Sequence, residues 1–131
     1  MQKIKIEWKH FDKEGKTCQR CSKTGKNLIR VLRDLKVEFA SNRIQIELKE
    51  IKLPESHMAE SNSILIDGIP LEDLISNTEV GKNACGSCSK LIGQPADCYC
   101  RTIQYKENTF ETIPSYIIKQ AILKKIQSEG D

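Results

Sequence analysis

Ile4, Ile6 and Trp8 alternate with Lys3, Lys5 and Glu7, a period of two that predicts a half-buried strand. Residues 11–17 are mostly polar and include Gly15, so a turn is expected there. Beyond it, Leu28, Val31, Leu32 and Leu35 recur at i, i+3, i+4 and i+7, which predicts a helix with one apolar face. Extended towards its N-terminus, that stripe passes through Gly25 to Cys21. A helix reaching so far turns Cys21 inward and leaves Cys18 at its exposed end. Gly25 costs such a helix about 1 kcal/mol relative to alanine.

Alternation returns at Ile44, Ile46 and Leu48, then slips phase to Ile51 and Leu53, which predicts a bulge or the end of the strand. Residues 54–60 read as a helical turn or a loop. Ile64, Leu65 and Ile66 form a continuous apolar run closed by Asp67-Gly68, the pattern of a more fully buried strand entering a tight turn. Residues 71–83 are weakly patterned and carry at most a short helix. Residues 102–105 and 109–113 pair as a hairpin across Lys106-Glu107-Asn108. Pro114 then opens a last helix with Ile117, Ile118, Ala121 and Ile122 on one stripe.

A strand, helix and strand in succession imply a crossover with parallel pairing. Both strands have one polar face, so both helices are placed on the other side of the sheet. The polar face is then left to residues 54–60, to a later cysteine-rich segment, or to a second chain in a homodimer. The class is α/β, a mixed sheet with flanking helices. A length of 131 residues suits one domain, 1–131, with a cysteine-rich insert at about 84–101.

Charge excludes more than it suggests. Twenty-one Lys and Arg against 18 Asp and Glu leave a net +3, and the signs alternate along the chain. That argues against a nucleic-acid or membrane partner. No run approaches the ~20 apolar residues of a membrane span, and no apolar leader follows Met1, so a cytoplasmic location is expected. In that compartment thiols stay reduced, and cysteines serve catalysis, redox sensing or metal binding more often than stapling. This chain has six cysteines and two histidines.

Cys18-Gln-Arg-Cys21 stands between a strand and a helix, where thiol–disulfide exchange is favoured. Two intervening residues let the sulfurs meet, and the helix N-terminus stabilises a thiolate. Cys18 is then the nucleophile and Cys21 resolves the mixed disulfide, with Lys16 and Arg20 adding positive charge nearby. No cofactor is required; the substrate is a protein or small-molecule disulfide. The same pair also reads as half of a zinc site. Cys85-Gly-Ser-Cys88 and Cys98-Tyr-Cys100 flank a loop with Gly93 and Pro95. Four thiolates from Cys85, Cys88, Cys98 and Cys100 can hold zinc tetrahedrally, or a softer ion such as copper(I), mercury or arsenite. Two disulfides, an electron relay to the first pair, or a zinc site joining Cys18 and Cys21 to Cys85 and Cys88 remain alternatives.

The opening strand and the Cys18–Cys21 helix resemble the start of the thioredoxin-like superfamily, and Ser61-Asn-Ser-Ile-Leu-Ile-Asp-Gly68 resembles its third strand and turn. Nearly the whole chain, including Cys98-Tyr-Cys-Arg-Thr102 and Glu111-Thr-Ile-Pro114, is similar to a small prokaryotic family of uncharacterised thioredoxin-like proteins. The resemblance implies a thioredoxin-like fold and a redox role for Cys18 and Cys21. Thioredoxins carry a cis-proline before the third strand, where this chain has Asn62 and Ser63.

His10 and His57 stand apart from the cysteines and are read as surface or packing residues, and Trp8 as core. The expected activity is thiol–disulfide oxidoreduction. The alternative is a non-enzymatic thiolate metal-binding protein on the same scaffold; a third reading is an interaction module.

Overall fold

The first strand runs further than its apolar residues announce. A computed structural model describes residues 2–13, 16–17, 19–40, 44–54, 63–76, 78–84 and 99–130. In it β1 spans Gln2–Lys13 and turns back through β2, Lys16–Thr17, with Asp12 opposite Thr17. The turn is therefore shorter than the polar stretch 11–17 suggested. Helix α1 follows at Gln19–Glu38 and β3 at Ile44–Leu53. Strand β3 lies parallel to β1 from Gln2↔Ile44 to Phe11↔Leu53.

That register is continuous, so the phase slip after Leu48 is neither a bulge nor a strand end. The same slip occurs opposite, in β1, where Phe11 breaks the phase of Ile4, Ile6 and Trp8. Phe11 and Leu53 are register partners, and both are buried, at 1% and 8% exposure. The face carrying exposed Lys3, Lys5, Gln45, Glu47 and Lys49 thus becomes apolar at the C-terminal ends of both strands.

Strand β4, Ser63–Ile66, pairs antiparallel with the other edge of β1, placing Ile66 opposite Ile6 and Ile64 opposite Trp8. Asp67 and Gly68 hold positive φ of 52° and 81°, the left-handed pair that a two-residue hairpin turn needs before β5, Ile69–Pro70. The Asp67 carboxylate accepts from the Lys5 amide at 2.8 Å while the Asp67 amide donates to the Lys5 carbonyl at 2.7 Å, tying the turn to β1. The first sheet therefore runs β3–β1–β4–β5.

Helix α2 is confined to Leu71–Leu74, and most of the remaining stretch up to residue 83 belongs to a strand: β6, Thr78–Ala84. It opens a second sheet, pairing antiparallel with β7, Tyr99–Tyr105, which pairs in turn with β8, Asn108–Phe110. The hairpin turn is one residue shorter than expected, with Tyr105 opposite Asn108. Lys106 takes a φ of 55°. Strand β6 escapes a pattern reading because Val80 is its one large apolar residue and is 42% exposed. Its order comes from the backbone ladder with β7.

Pro114 accepts the first bond of α3, Ser115–Gly130, from the Ile118 amide at 3.2 Å. Helices α1 and α3 pack on each other and on the same face of the first sheet, joining Leu28, Leu35, Ile117, Ile118 and Ile122 to Ile4, Ile6, Ile64 and Ile66. Ile103 and Ile113 belong to the same cluster, so the second sheet shares this core. Tyr116 meets Tyr105 and Phe110 edge-on at 6.4 Å, seating the hairpin on α3.

Candidate redox site at the start of the first helix

The seating of α1 on β1 is set by glycine meeting tryptophan. A Cβ at Gly25 would lie 2.3 Å from Trp8 Cη2, closer than any real contact, so the indole occupies the space a side chain would take. Gly25 therefore lowers helix propensity but permits a close approach of helix to sheet. The residue before it, Thr24, is wholly buried and its Oγ1 accepts from the Ile113 amide at 3.1 Å. Asn27 Nδ2 donates to the Ile113 carbonyl at 3.0 Å. The segment before α3 is thus clamped to the first turns of α1 through both backbone groups of one residue.

The helix begins at Gln19, so Cys21 lies in its first turn and Cys18 immediately precedes it in sequence. Cys18 lies outside the described residues. Position 21 is four residues before Gly25 and shares its stripe with Gly25 and Leu28. Because α1 connects two parallel strands, it runs opposite to β1. Four residues back along the helix, ~6 Å, match two residues forward along the strand, ~6.6 Å. The level of Cys21 on α1 is therefore the level of His10 on β1.

His10, which the sequence marks as a surface or packing residue, is the polar side chain of β1 at that level. It is fully buried, stacks on Trp8 with ring centroids 4.1 Å apart at 27°, and places Nε2 2.7 Å from Glu50 Oε1. A carboxylate only accepts, so Nε2 carries the hydrogen. Among the described residues its Nδ1 has no hydrogen-bond partner, and neither has Trp8 Nε1; both atoms are buried. Buried polar groups are nearly always paired, so two unpaired nitrogens on one stacked pair set this corner apart from the rest of the described core. The signal was present in the sequence: His10 occupies the next position in the phase of Ile4, Ile6 and Trp8.

The second cysteine group is seen only in part. Cys85, Cys88 and Cys98 lie outside the described residues, as does His57. Cys100 stands in β7 opposite Asn83, and Ala84 is opposite Tyr99, so the two ends of the 85–98 stretch leave adjacent strands. Among the described residues no group of three or more His, Cys, Asp or Glu is placed to hold a metal. A hollow of about 530 Å³ lies between α3 and the β7–β8 turn, lined in part by Ile75, Tyr105, Lys106, Leu123 and Lys124, and contains none of the cysteines. No described helix is long and apolar enough to cross a membrane.

No solved structure matches the chain. An uncharacterized protein of Archaeoglobus fulgidus is 28% identical over 119 residues, which cover 88% of this chain and 82% of its own length. A family model also matches residues 4–122, nearly the whole of the chain, the Cys18–Cys21 corner and the later cysteines included. The chain therefore belongs to the family described as Domain of unknown function (DUF2703).

Proposed function

We propose that the protein is a thiol–disulfide oxidoreductase of thioredoxin-like fold in which Cys18 attacks and Cys21 resolves. The observation that carries this reading is the start of α1 at Gln19, which puts Cys21 in the first turn of a 20-residue helix and Cys18 directly before it. No acidic residue stands in that turn, so the unpaired amides and the helix dipole favour a thiolate unopposed. The strand order β3–β1–β4–β5, with α1 crossing between parallel strands, supports the thioredoxin-like assignment.

Replacing Cys18 by serine is expected to abolish dithiol-dependent disulfide reduction while leaving the thermal transition in place. Unchanged turnover in Cys18→Ser overturns the reading.

A second reading rests on the register of β6 and β7. With Ala84 opposite Tyr99, the flanks of the 85–98 stretch are drawn together, which favours closing Cys85, Cys88, Cys98 and Cys100 around one ion. Four thiolates suit zinc or a softer metal, making a metal-binding protein on the same scaffold. Native mass of anaerobically purified protein with a thiol count distinguishes the two: about one metal per chain, lost on replacing Cys98 and Cys100, is the expectation. Metal-free, folded protein with six titratable thiols excludes it.

A further inference from the structure

Among the described residues, one long edge of the first sheet is unpaired. Strand β3 pairs with β1 along one side from Ile44 to Leu53, and among the described residues no strand pairs with its other side. Such an edge offers a row of backbone donors and acceptors to any strand that fits. Beside it, Leu48 and Ile29 are 39% and 49% exposed and line a hollow of about 260 Å³ with Leu32, Arg33 and Lys36.

We propose that a second copy of this chain fills the edge, its β3 running antiparallel to the first about a two-fold axis through Leu48, so that one sheet continues across both copies. Charge decides the register. Directly opposed residues in an antiparallel pair share a face. Two identical strands must therefore pair odd positions with odd and even with even. Centring on Glu47 or Glu50 opposes like carboxylates, and centring on Lys49 opposes ammonium groups. Centring on Ile46 leaves residues 49–53 without partners in the described strand. Centring on Leu48 sets Glu47 against the second copy's Lys49, twice, and stacks the two Leu48 side chains above the merged hollows.

This register also extends an order already present within each copy. Lys5 is opposite Glu47 and Glu7 is opposite Lys49 in the β1–β3 pair, and Lys3 reaches Glu47 at 3.1 Å. Across the joined sheet the signs then alternate: Glu7, Lys49, the second copy's Glu47, the second copy's Lys5. The contact is small against the ~1,200 Å² of a stable interface, so a dissociation constant on the order of 10 μM is expected. It leaves the charged face of the sheet open, unlike a dimer formed face to face.

Sedimentation velocity on the full chain, with reductant to exclude disulfide-linked pairs, tests the proposal at protein concentrations from about one-tenth to about thirty times that constant. Wild type is expected to pass from monomer to dimer. Glu47→Lys sets ammonium against ammonium at both 47–49 pairs, and Lys49→Glu sets carboxylate against carboxylate there. Each alone is expected to associate at least about tenfold more weakly. Mixed in equal amounts, the two restore both opposite-charge pairs, and a heterodimer of wild-type affinity is expected. Circular dichroism of each variant checks that the chain is folded. Wild type that stays monomeric throughout, folded single variants that dimerise like wild type, or a mixture no tighter than its components each overturns the proposal.

Discussion

The two cysteine-bearing regions are ordered by different forces. At the β1–α1 corner, side chains fix the backbone: Trp8 takes the space above Gly25, and Thr24 and Asn27 hold Ile113 from the other side. In the β6–β7 ladder the backbone orders itself by pairing from Thr78↔Tyr105 to Ala84↔Tyr99, while Glu79, Val80 and Gly81 stay exposed. The first arrangement fixes how closely the start of α1 approaches β1. The second holds Ala84 and Tyr99, the two flanks of the 85–98 stretch, side by side. If that contrast is right, the same kind of substitution should be severe in one region and mild in the other.

The largest effect is expected at the corner. In an exposed helix Gly→Ala stabilises by about 1 kcal/mol. At position 25 the added methyl falls inside the Trp8 ring, which is 93% buried and has nowhere to go. Overpacking of this kind costs about 1–3 kcal/mol net, so Gly25→Ala should lower the thermal transition by several degrees. A variant as stable as wild type would mean that α1 does not sit on Trp8.

Thr24→Val comes next. The change is close to isosteric but removes the acceptor of the buried Ile113 amide, leaving that donor unpaired. The cost is about 1–2 kcal/mol in chemical denaturation. Thr24→Ser, which keeps the hydroxyl, should recover part of it.

The same contrast explains what could be read from the sequence. Elements ordered by side chains write themselves into the apolar pattern, so β1, α1, β3, β4 and α3 were visible at Ile4, Leu28, Ile46, Ile64 and Ile117. The parallel pairing of β1 with β3 followed from the helix between them, whereas the antiparallel place of β4 on the other edge of β1 did not. Strand β6 left no such mark, because its residues are held by hydrogen bonds between main chains. The slip at Ile51 and Leu53 was visible but was assigned to the wrong cause, since only the partner strand reveals that Phe11 slips at the same level. His10 stands apart from the cysteines in sequence, which marks it only as a surface or packing residue, and its phase with Ile4, Ile6 and Trp8 decides for the interior. At the candidate site, the stripe running back through Gly25 carries Cys21 onto the first turn of α1, whereas the buried nitrogens level with it depend on how tightly Gly25 lets helix and sheet approach.

The smallest effect is the most pointed, because it repeats the first substitution in the other region. Gly81 stands in β6 opposite Thr102, and a Cβ there would meet the Thr102 Oγ1 at 3.0 Å. That neighbour is one rotatable hydroxyl rather than an indole, so a shift of a few tenths of an ångström relieves the contact. Glycine within a strand carries a conformational cost of about 0.5–1 kcal/mol relative to alanine, which Gly81→Ala recovers. The two terms nearly cancel, and a net change within about 0.5 kcal/mol is expected from the same thermal measurement. A loss as large as that at position 25 would show that β6 is packed as closely as α1, and the division between a side-chain-built corner and a backbone-built ladder would fail.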